Sequence, residues 1–576
     1  MSVRKCRLHH RLQHSVPFAV VLVALLAAPD VFAQNAPALR WELVNPFRFI
    51  HDQSSVDDLR DIYDGMALDK STRPAYDLER DLQDRSEVAV QRNRATAVNC
   101  ADRNATPEEK RQCFEPYAGW VERLARDNFS NTCWNPETGG FRNDVAACRD
   151  YVYPEAHYVR VWIENPQFLE GRLSTWLVDN RPLIGSQLEF RNCDAKYKRP
   201  FCVEIRVPYD ANAPRKLTVS VSLSNGGLIS LSEPIEVLDR LVVGLGDSYA
   251  SGEGNPDRPA RFTQGEKERD FLPALLAANI PAAVKGTQRP RKDRDAEGAA
   301  RWLDLRCHRS MYSYQFKTAL QMALRNPREA VTFVSYSCSG AVTDEIIDKW
   351  ASAIERGGRV EPQLESLRKA LTKDGKITRE IDYLLLSTGG NDIEFSKYVT
   401  YAVLSGAALK LFSNPVLFRK GVNRRRIIRA SDEGRFKRLL LGADGSYARL
   451  HRALLEAPSG LGGAPDESRR IRIKDCQPGH PCHRILLTPY PDILHDEKGN
   501  LCSAARKEFD NPFGEDRERW KRLLTLDTYV FRQIRDVQAD AWITDKAGPG
   551  WTVVGATSVP TLTTAFALRS GVTSRP

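Results

Sequence analysis

The sequence has 576 residues, of which 42% are hydrophobic and 27% charged, and it carries a formal net charge of +10 at pH 7. A chain of this size can bury several hydrophobic cores, so we expect two or three domains. The positive charge is diffuse, and the local basic clusters at 286–294 and 423–429 contain no aromatic residues. This pattern favours solvated loops or contact with an anionic surface, and we expect no nucleic-acid partner.

The first 33 residues have the pattern of a signal peptide. Four basic residues within 4–11 precede an apolar run at 16–28 that is too short to span a bilayer comfortably, and Ala33 supplies the small residue at the cleavage site. An uncleaved anchor is the alternative. No later segment is long and apolar enough for a transmembrane helix. We therefore expect a secreted or periplasmic protein with no stable membrane span after signal cleavage.

Eleven of the twelve cysteines follow the predicted signal peptide. Export favours disulfide bonds, and an odd number leaves one thiol without a partner. None of the cysteines has the paired CxxC spacing of a zinc site, so we predict no metal. Three local clusters are candidates for disulfide pairing: Cys100/Cys113/Cys133/Cys148, Cys193/Cys202 and Cys476/Cys482/Cys502.

Residues 34–154 are charged and mixed in pattern, with helical stretches at 57–70 and 117–129, and they predict a helical or irregular N-terminal region. From 155 to 238 the chain changes to short alternating segments. Leu217, Val219, Val221 and Leu223 alternate with polar residues and are followed by Ser-Asn-Gly-Gly, which predicts a hairpin. Repeated short strands of this kind predict a small β-sandwich over 155–238, acting as a packing or binding module.

The region 239–576 predicts an α/β domain. Amphipathic stretches such as 310–326 and 518–538 lie between continuous apolar runs, a pattern typical of a parallel sheet covered by helices on both faces. Ligands of open α/β sheets bind outside the carboxyl ends of the strands, so the residues after each strand are the candidate site. The apolar runs predict five strands: 241–247, 330–337, 381–387, 484–490 and 551–554.

Short polar turns that contain glycine follow the first three predicted strands: 246–248, 337–340 and 389–392. Acyl transfer needs a nucleophile, a base and two or three donors for the developing oxyanion. Ser248 can be the nucleophile, while its own N–H, the N–H of Gly340 and the side-chain amide of Asn391 can be the donors.

Taken alone, Gly340 could relieve crowding at a turn and Asn391 could cap a helix. A phosphate-binding loop is disfavoured because no Gly-Lys-Ser/Thr follows Ser248. Taken together, the three turns favour catalysis.

The motifs GDSY (246–249), the Gly340 turn and GGND (389–392) resemble the first three sequence blocks of the SGNH (GDSL-type) hydrolases. GDSYASGEG, CHRS (307–310) and SYSCSGA (335–341) are similar to the secreted, disulfide-bearing esterase and lipase branch typified by Streptomyces enzymes. The resemblance covers roughly 240–555. It implies a flavodoxin-like three-layer α/β/α sandwich that hydrolyses esters through an acyl-enzyme, with Ser248, Gly340 and Asn391 in the roles given above.

A serine nucleophile needs a general base, and the family places a histidine after the last strand. Here WTVVG (551–555) is followed by 21 residues without a histidine. His495 and Asp492 have the family's Asp-x-x-His spacing and are the candidate base and acid, but they follow the fourth strand, where a surface-loop histidine is the simpler interpretation. His480 and His483 are weaker candidates. The tail at 556–576 is expected to be replaced or truncated relative to related chains.

Two further segments adjoin these motifs. In CHRS, Ser310 is predicted to cap the following helix and Cys307 to join a disulfide, with Cys338 as one option, so that His308 is a neighbour of the site at most. The apolar segment 397–412 predicts either a core helix or one wall of an acyl-binding cleft.

The sequence thus predicts an exported serine hydrolase of carboxylic esters of lipids or acylated glycans, with no metal or organic cofactor. The alternative, raised by the missing late histidine, is a catalytically impaired protein that binds an acylated glycan or lipid.

Overall fold

The computed structural model describes residues 37–64, 121, 129–164, 173–182, 190–192, 202–213, 216–224, 229–257, 300–354, 358–394, 433–490, 530, 532–539 and 550–554. Several predicted features lie outside these residues. They are the signal peptide, the basic clusters, the apolar segment 397–412 and the C-terminal tail.

The described strands, in chain order, are β1 (Ala38–Leu43), β2 (Trp134–Asn135), β3 (Gly140–Phe141), β4 (Ala156–Glu164), β5 (Leu173–Val178), β6 (Arg181–Pro182), β7 (Phe190–Asn192), β8 (Cys202–Pro208), β9 (Lys216–Ser224), β10 (Ile229–Glu236), β11 (Leu238–Gly246), β12 (Glu329–Ser335), β13 (Ala351–Ser352), β14 (Arg359–Val360), β15 (Thr372–Lys373), β16 (Lys376–Ile377), β17 (Tyr383–Ser387), β18 (Ile485–Leu487) and β19 (Thr552–Val553).

The described α-helices are α1 (Gln53–Asp64), α2 (Ser248–Ser251), α3 (Tyr314–Arg325), α4 (Thr343–Ile347), α5 (Gln363–Leu371), α6 (Glu433–Leu440), α7 (Ser446–Leu455) and α8 (Arg532–Ala539). Short 3₁₀ turns occur at Ala146–Cys148, Leu461–Gly463 and Glu467–Arg469.

The chain divides into two compact units. One comprises Arg160–Ile205 and Leu217–Ile235 together with the chain up to Trp41, and the other comprises Glu42–Val159, Arg206–Lys216 and Glu236–Pro576. The contiguous domain ranges drawn from the sequence stay a prediction. The N-terminal segment that follows Trp41 belongs to the same compact unit as the parallel sheet.

The alternating segments form two four-stranded sheets, with orders β1-β4-β8-β7 and β10-β9-β5-β6. Strands β9 and β10 are hydrogen-bonded neighbours, as the hairpin signal predicted, and the Ser-Asn-Gly-Gly turn itself extends beyond the described residues. Leu217, Val219 and Val221 are buried, in agreement with the alternation.

Strand β1 lies in the region predicted to be helical or irregular, and that prediction is wrong at 38–43. Because the pattern ALRWEL alternates over only six residues, it gave a weak strand signal.

All five strands predicted from apolar runs form one parallel sheet in the order β12-β11-β17-β18-β19. Numbered by their sequence, this order is 2-1-3-4-5. Val242 of β11, the second strand in this order, pairs with Phe333 on one side and with Tyr383 on the other. From β11 the chain moves to β12 on one side, and all later strands are added on the other side, beginning with β17. The strand order therefore reverses between β11 and β17, and open α/β sheets hold ligands at such a point.

A continuous apolar core stabilises the parallel sheet. Leu241, Val242, Val243 and Leu245 in β11 are fully buried. Burial of each such side chain contributes about 1.5–3 kcal/mol relative to exposure, which explains why this strand reads as an unbroken apolar run.

An aromatic cluster joins the N-terminal segment to this core. Phe47 and Phe49 pack edge-to-face against Phe316 of α3, with ring centroids 5.3 Å apart in both pairs, and Phe316 packs against Phe333 of β12. Such pairs add about 0.5–1.5 kcal/mol beyond their burial. The N-terminal segment is therefore a structural part of the parallel-sheet unit.

The beginning of β11 carries a buried ionic cluster. Asp239 accepts hydrogen bonds from Arg379 at 2.9 Å and from Thr332 at 2.8 Å, and His157 and Arg48 lie within 3.2 and 3.8 Å. Burial alone favours the neutral acid, but the neighbouring cations and His157 hold the pKa of Asp239 well below its ordinary value. Removing one partner would leave an uncompensated buried charge, so the cluster fixes this end of the sheet.

Candidate active site

Three polar turns extend from neighbouring strands at the carboxyl edge of the parallel sheet. The register pairs Gly244 with Ser335 of β12 and Gly246 with Ser387 of β17. The main chain continues the contact beyond the strands, because Cys338 N–H donates to Gly246 O at 3.0 Å and Asp247 N–H donates to Ser387 O at 3.0 Å. The turns predicted to carry Ser248, Gly340 and Asn391 therefore leave three adjacent strands.

The first turn presents Ser248 as the first residue of the short helix α2. Gly246 has φ +139°, and a Cβ at this position would lie 2.2 Å from Ser387 O, so only glycine fits. Asp247 caps the helix by accepting a hydrogen bond from Tyr249 N–H at 3.1 Å. Ser248 is half-buried, and its N–H and Oγ make no hydrogen bond within the part of the chain that the structure describes.

The second turn presents Gly340 at the surface. Cys307 and Cys338 form a disulfide, which confirms the pairing considered from the sequence. Ser339 N–H donates to Cys307 O at 3.0 Å, so the disulfide and a backbone hydrogen bond hold the same turn. Gly340 has φ +82° with nothing within 4 Å of an added Cβ, and its N–H has no acceptor among the described residues.

The third turn places the Asn391 side chain next to the Gly340 turn. Asn391 Nδ2 donates to Ala341 O at 3.0 Å, and the amide carries a second N–H. Asp392 holds the same two segments together, because it accepts hydrogen bonds from Thr343 N–H at 3.1 Å and from Thr343 Oγ at 3.0 Å. Ser446 Oγ of α7 also donates to Asp392, at 2.7 Å. The second and third turns are therefore directly bonded.

Tyr490, which the sequence analysis did not single out, joins the first turn to the third. Its hydroxyl donates to Asp247 Oδ2 and accepts from Gly390 N–H at 2.7 Å. Burial raises the pKa of Asp247 to about 7, although the hydrogen bond from Tyr490 and two backbone hydrogen bonds lower it. Tyr490 is the last residue of the predicted fourth strand, and the observed strand β18 already ends at Leu487, so its position at a strand end was the available signal.

The CHRS loop lies against the Ser248 turn. Ser310 N–H donates to Ser251 O at 2.9 Å. The prediction that Ser310 caps the next helix is wrong, because Ser313 is the N-cap of α3 and accepts from Phe316 N–H. Ser310 instead donates its hydroxyl to the buried Asp257 at 3.1 Å.

His308 is a neighbour of the Ser248 turn and is connected to it through Glu253. Its Nδ1 is 2.8 Å from Glu253 Oε2, and Glu253 N–H donates to Ser248 O at 3.0 Å. The imidazole is buried and stacks on Trp302, with ring centroids 4.4 Å apart.

The candidate base His495 and the candidate acid Asp492 lie outside the described residues. His480 is exposed on the loop that the Cys476–Cys482 disulfide closes, and His483, directly after Cys482, is exposed as well. His451 on α7 accepts a hydrogen bond from Trp551 at 3.0 Å, and burial lowers the pKa of its imidazole.

No group of three or more His, Cys, Asp or Glu residues with the geometry of a metal site occurs within the described ranges. Across the same ranges, none of the helices has the length and apolarity needed to cross a bilayer. Cys133–Cys148 is a further disulfide, and Cys202 is also disulfide-bonded.

The described residues form an α/β protein in which the turns that carry Ser248, Gly340 and Asn391 lie at one edge of the parallel sheet. Comparisons with protein-family models, with curated proteins and with solved structures found no match.

Proposed function

We propose that this protein is an exported serine hydrolase of the SGNH type, with a flavodoxin-like α/β/α fold, that cleaves carboxylic esters through an acyl-enzyme on Ser248. The strand order 2-1-3-4-5 supports this fold, because it is the order of flavodoxin-like doubly wound sheets. The resemblance of GDSY, the Gly340 turn and GGND to the family's blocks supports the site.

One observation carries the proposal. The Ser248 and Gly340 N–H groups have no acceptor among the described residues, and the Asn391 amide is bonded to Ala341, next to Gly340. Backbone N–H groups in folded proteins are normally paired with protein or water. Three donors at adjacent strand ends, beside a serine hydroxyl, are what an oxyanion site for ester hydrolysis requires.

In the proposed reaction Ser248 Oγ attacks the ester carbonyl carbon while its proton passes to a base. The carbonyl π electrons move to oxygen, and this oxyanion accepts hydrogen bonds from the Ser248, Gly340 and Asn391 donors. Collapse of the intermediate expels the alcohol and leaves an acyl-serine, which water then hydrolyses by the same steps. Removing one such donor typically costs about 10²–10³-fold in kcat.

The buried disulfides support export. Both members of Cys133–Cys148 and of Cys307–Cys338 are almost fully buried, and disulfides of this kind persist in oxidising compartments. On this proposal the mature secreted or periplasmic chain begins at Gln34.

A fluorophosphonate probe tests the activity. Activated serine attacks phosphorus, loses its hydroxyl proton and expels fluoride, so the intact mass of the protein rises by the mass of the phosphonyl group less one hydrogen. We expect the wild type to label at Ser248 and Ser248→Ala to remain unlabelled, with Ser251→Ala, one helical turn away, as the matched control. A wild type that fails to label and hydrolyses no ester in a panel of short and long acyl chains would contradict the proposal and favour a binding protein.

A further inference from the structure

A cavity of about 420 Å³ lies within the unit that contains the parallel sheet, and its lining includes none of the residues proposed to act on the ester. Its volume is within the range of about 300–1,000 Å³ that small-molecule sites occupy. It is lined by residues of the loop at 139–153, by Tyr336 and by residues of the segment 361–373, which contains α5 and β15. Tyr336 directly follows β12, so the cavity borders the carboxyl edge of the sheet.

Contacts outside the cavity hold its aromatic lining in place. Tyr151 stacks on Phe141, with ring centroids 4.4 Å apart, and donates its hydroxyl to Phe333 O at 2.9 Å. Tyr153 donates its hydroxyl to Leu371 O at 2.6 Å. A site that is formed in this way before a ligand arrives loses little conformational entropy on binding.

The apolar part of the lining consists of aromatic rings. Phe141, Tyr153 and Tyr336 each line the cavity and are partly exposed. Aromatic rings offer a broad and rigid apolar contact, and their negative faces attract C–H groups that carry partial positive charge. This part of the lining suits a ligand with at least one apolar face.

The charges of the lining balance. Two lysines and two carboxylates line the cavity: Lys369, Lys373, Asp150 and Glu361. Lys369 is already paired with Glu361, and Lys373 lies over the Tyr153 ring, 5.7 Å from its centroid. An anionic ligand such as a phosphate requires an excess of positive charge, and a cationic ligand requires an excess of negative charge. The balance therefore favours an uncharged ligand.

Three side chains of the lining have hydrogen-bonding groups that no described residue engages. They are the amide of Asn143, the carboxylate of Asp150 and the hydroxyl of Tyr336. Together they offer both donors and acceptors. An acyl chain or another apolar ligand would take these groups out of water without replacing their hydrogen bonds, which is unfavourable. The lining therefore favours a ligand with several hydroxyl groups in addition to its apolar face.

We propose that this cavity binds an uncharged saccharide. A pyranose ring carries hydroxyl groups around its edge and C–H groups on its faces. The edge pairs with Asn143, Asp150 and Tyr336, while one face packs on an aromatic ring of the lining. The assignment goes beyond the proposed ester hydrolysis and does not depend on it, because it uses a different set of residues.

Isothermal titration calorimetry of the purified protein tests the class of ligand. The probes are three uncharged disaccharides (maltose, cellobiose and N,N′-diacetylchitobiose), with inorganic phosphate and choline as charged counterparts. We expect at least one disaccharide to bind with a Kd of about 1 mM or tighter, and neither charged probe to bind in the cavity. Saturable binding by none of the three disaccharides would overturn the proposal.

Two variants test whether the cavity is the place of binding. Ala370 lines the cavity from α5, so Ala370→Trp fills the space and should abolish measurable saccharide binding, with circular dichroism as the check on its fold. Asp150 has φ +51°, a conformation that glycine adopts without strain, so Asp150→Gly removes the carboxylate without straining the backbone. We expect Asp150→Gly to weaken saccharide binding about 10-fold.

Asp374→Gly is the matched control for Asp150→Gly. Asp374 is also exposed and has φ +50°, but it lies outside the lining of the cavity. This variant should bind the saccharide as wild type does. If a folded Ala370→Trp keeps the wild-type affinity, or if Asp374→Gly loses as much affinity as Asp150→Gly, the cavity is not the site and the inference is overturned.

The Ser248→Ala variant separates this inference from the proposed function. It should bind the saccharide with the wild-type affinity while it hydrolyses no ester. A wild type that binds the saccharide but neither labels with a fluorophosphonate nor hydrolyses esters would contradict the hydrolase function and leave the saccharide site standing. A wild type that hydrolyses esters but binds none of the disaccharides would do the reverse.

Discussion

The hydroxyl of Tyr490 donates a hydrogen bond to the buried carboxylate of Asp247, the residue directly before Ser248. The same hydroxyl accepts from Gly390 N–H, the residue directly before Asn391. One side chain from the loop after β18 therefore connects the proposed nucleophile turn to the proposed amide donor. A Cβ on Gly390 would lie 2.7 Å from the Tyr490 ring, so this connection depends on glycine at that position.

We predict that Tyr490→Phe lowers both stability and activity. It removes a donor from the buried Asp247 carboxylate and leaves Gly390 N–H without its acceptor, at a cost of about 1–3 kcal/mol in the free energy of unfolding. Because the two turns are no longer joined, we expect labelling of Ser248 to slow at least 10-fold.

Tyr153→Phe is the matched control for Tyr490→Phe. Like Tyr490, Tyr153 both donates and accepts through its hydroxyl. It donates to the backbone carbonyl of Leu371 and accepts from the N–H groups of Thr378 and Arg379, all before β17. This variant should lose a similar amount of stability and label at the wild-type rate. Equal slowing of labelling in both variants would show that the Tyr490 effect is only general destabilisation.

The two glycines of the first two turns should respond differently to alanine. At Gly246 a Cβ meets Ser387 O at 2.2 Å, whereas at Gly340 it meets nothing within 4 Å. Gly340→Ala is expected to cost about 1 kcal/mol from its positive φ alone. Gly246→Ala must displace a strand end and should cost at least about 3 kcal/mol. Urea unfolding of both variants measures the difference, and equal losses would contradict the close approach at Gly246.

Removal of the Cys307–Cys338 disulfide should affect the candidate site specifically. The Cys307→Ser/Cys338→Ser variant opens a link across 31 residues and is expected to lose about 2–4 kcal/mol in unfolding free energy. Because Gly340 is two residues from Cys338, labelling of Ser248 should also slow. The Cys476→Ser/Cys482→Ser variant, whose bond spans 6 residues, should label normally. A normal rate in the first variant would show that the disulfide does not position Gly340.

The raised pKa of Asp247 predicts a pH dependence of stability. The folded-state pKa of about 7 lies above the ordinary aspartate value of 3.8, so the folded protein holds this proton over that interval and the unfolded chain releases it. The resulting contribution to stability is present below pH 3.8 and is lost as the pH rises through about 7. Asp247→Asn should remove this contribution, so the unfolding free energy of the variant should fall less steeply than that of wild type between pH 4 and 7. Identical slopes would contradict a protonated Asp247.

Much of the parallel sheet could be predicted from the sequence because its strands are buried on both sides and read as unbroken apolar runs. LVVGLG is the clearest example, since four of its residues are fully buried apolar side chains. The placement of Ser248, Gly340 and Asn391 in turns that follow adjacent strands agrees with the same rule about strand ends.

Other relationships depended on contacts that sequence spacing does not encode. Tyr490 lies 243 residues from Asp247, so their hydrogen bond has no local pattern. Ser310 and Ser313 are equally suitable caps by residue type; in the structure Ser313 caps α3, and Ser310 donates its hydroxyl to Asp257 instead. The contact between His308 and Glu253 spans 55 residues and likewise has no local pattern.

The most direct test of the central claim is an experimental structure of the protein after reaction with a fluorophosphonate. The adduct's phosphonyl oxygen stands in for the oxyanion of the tetrahedral intermediate. We predict a covalent bond from Ser248 Oγ to phosphorus, with this oxygen about 2.7–3.1 Å from Ser248 N, Gly340 N and Asn391 Nδ2. A phosphonyl group attached to another residue, or an oxygen on Ser248 that faces solvent away from Gly340 and Asn391, would contradict the proposed site.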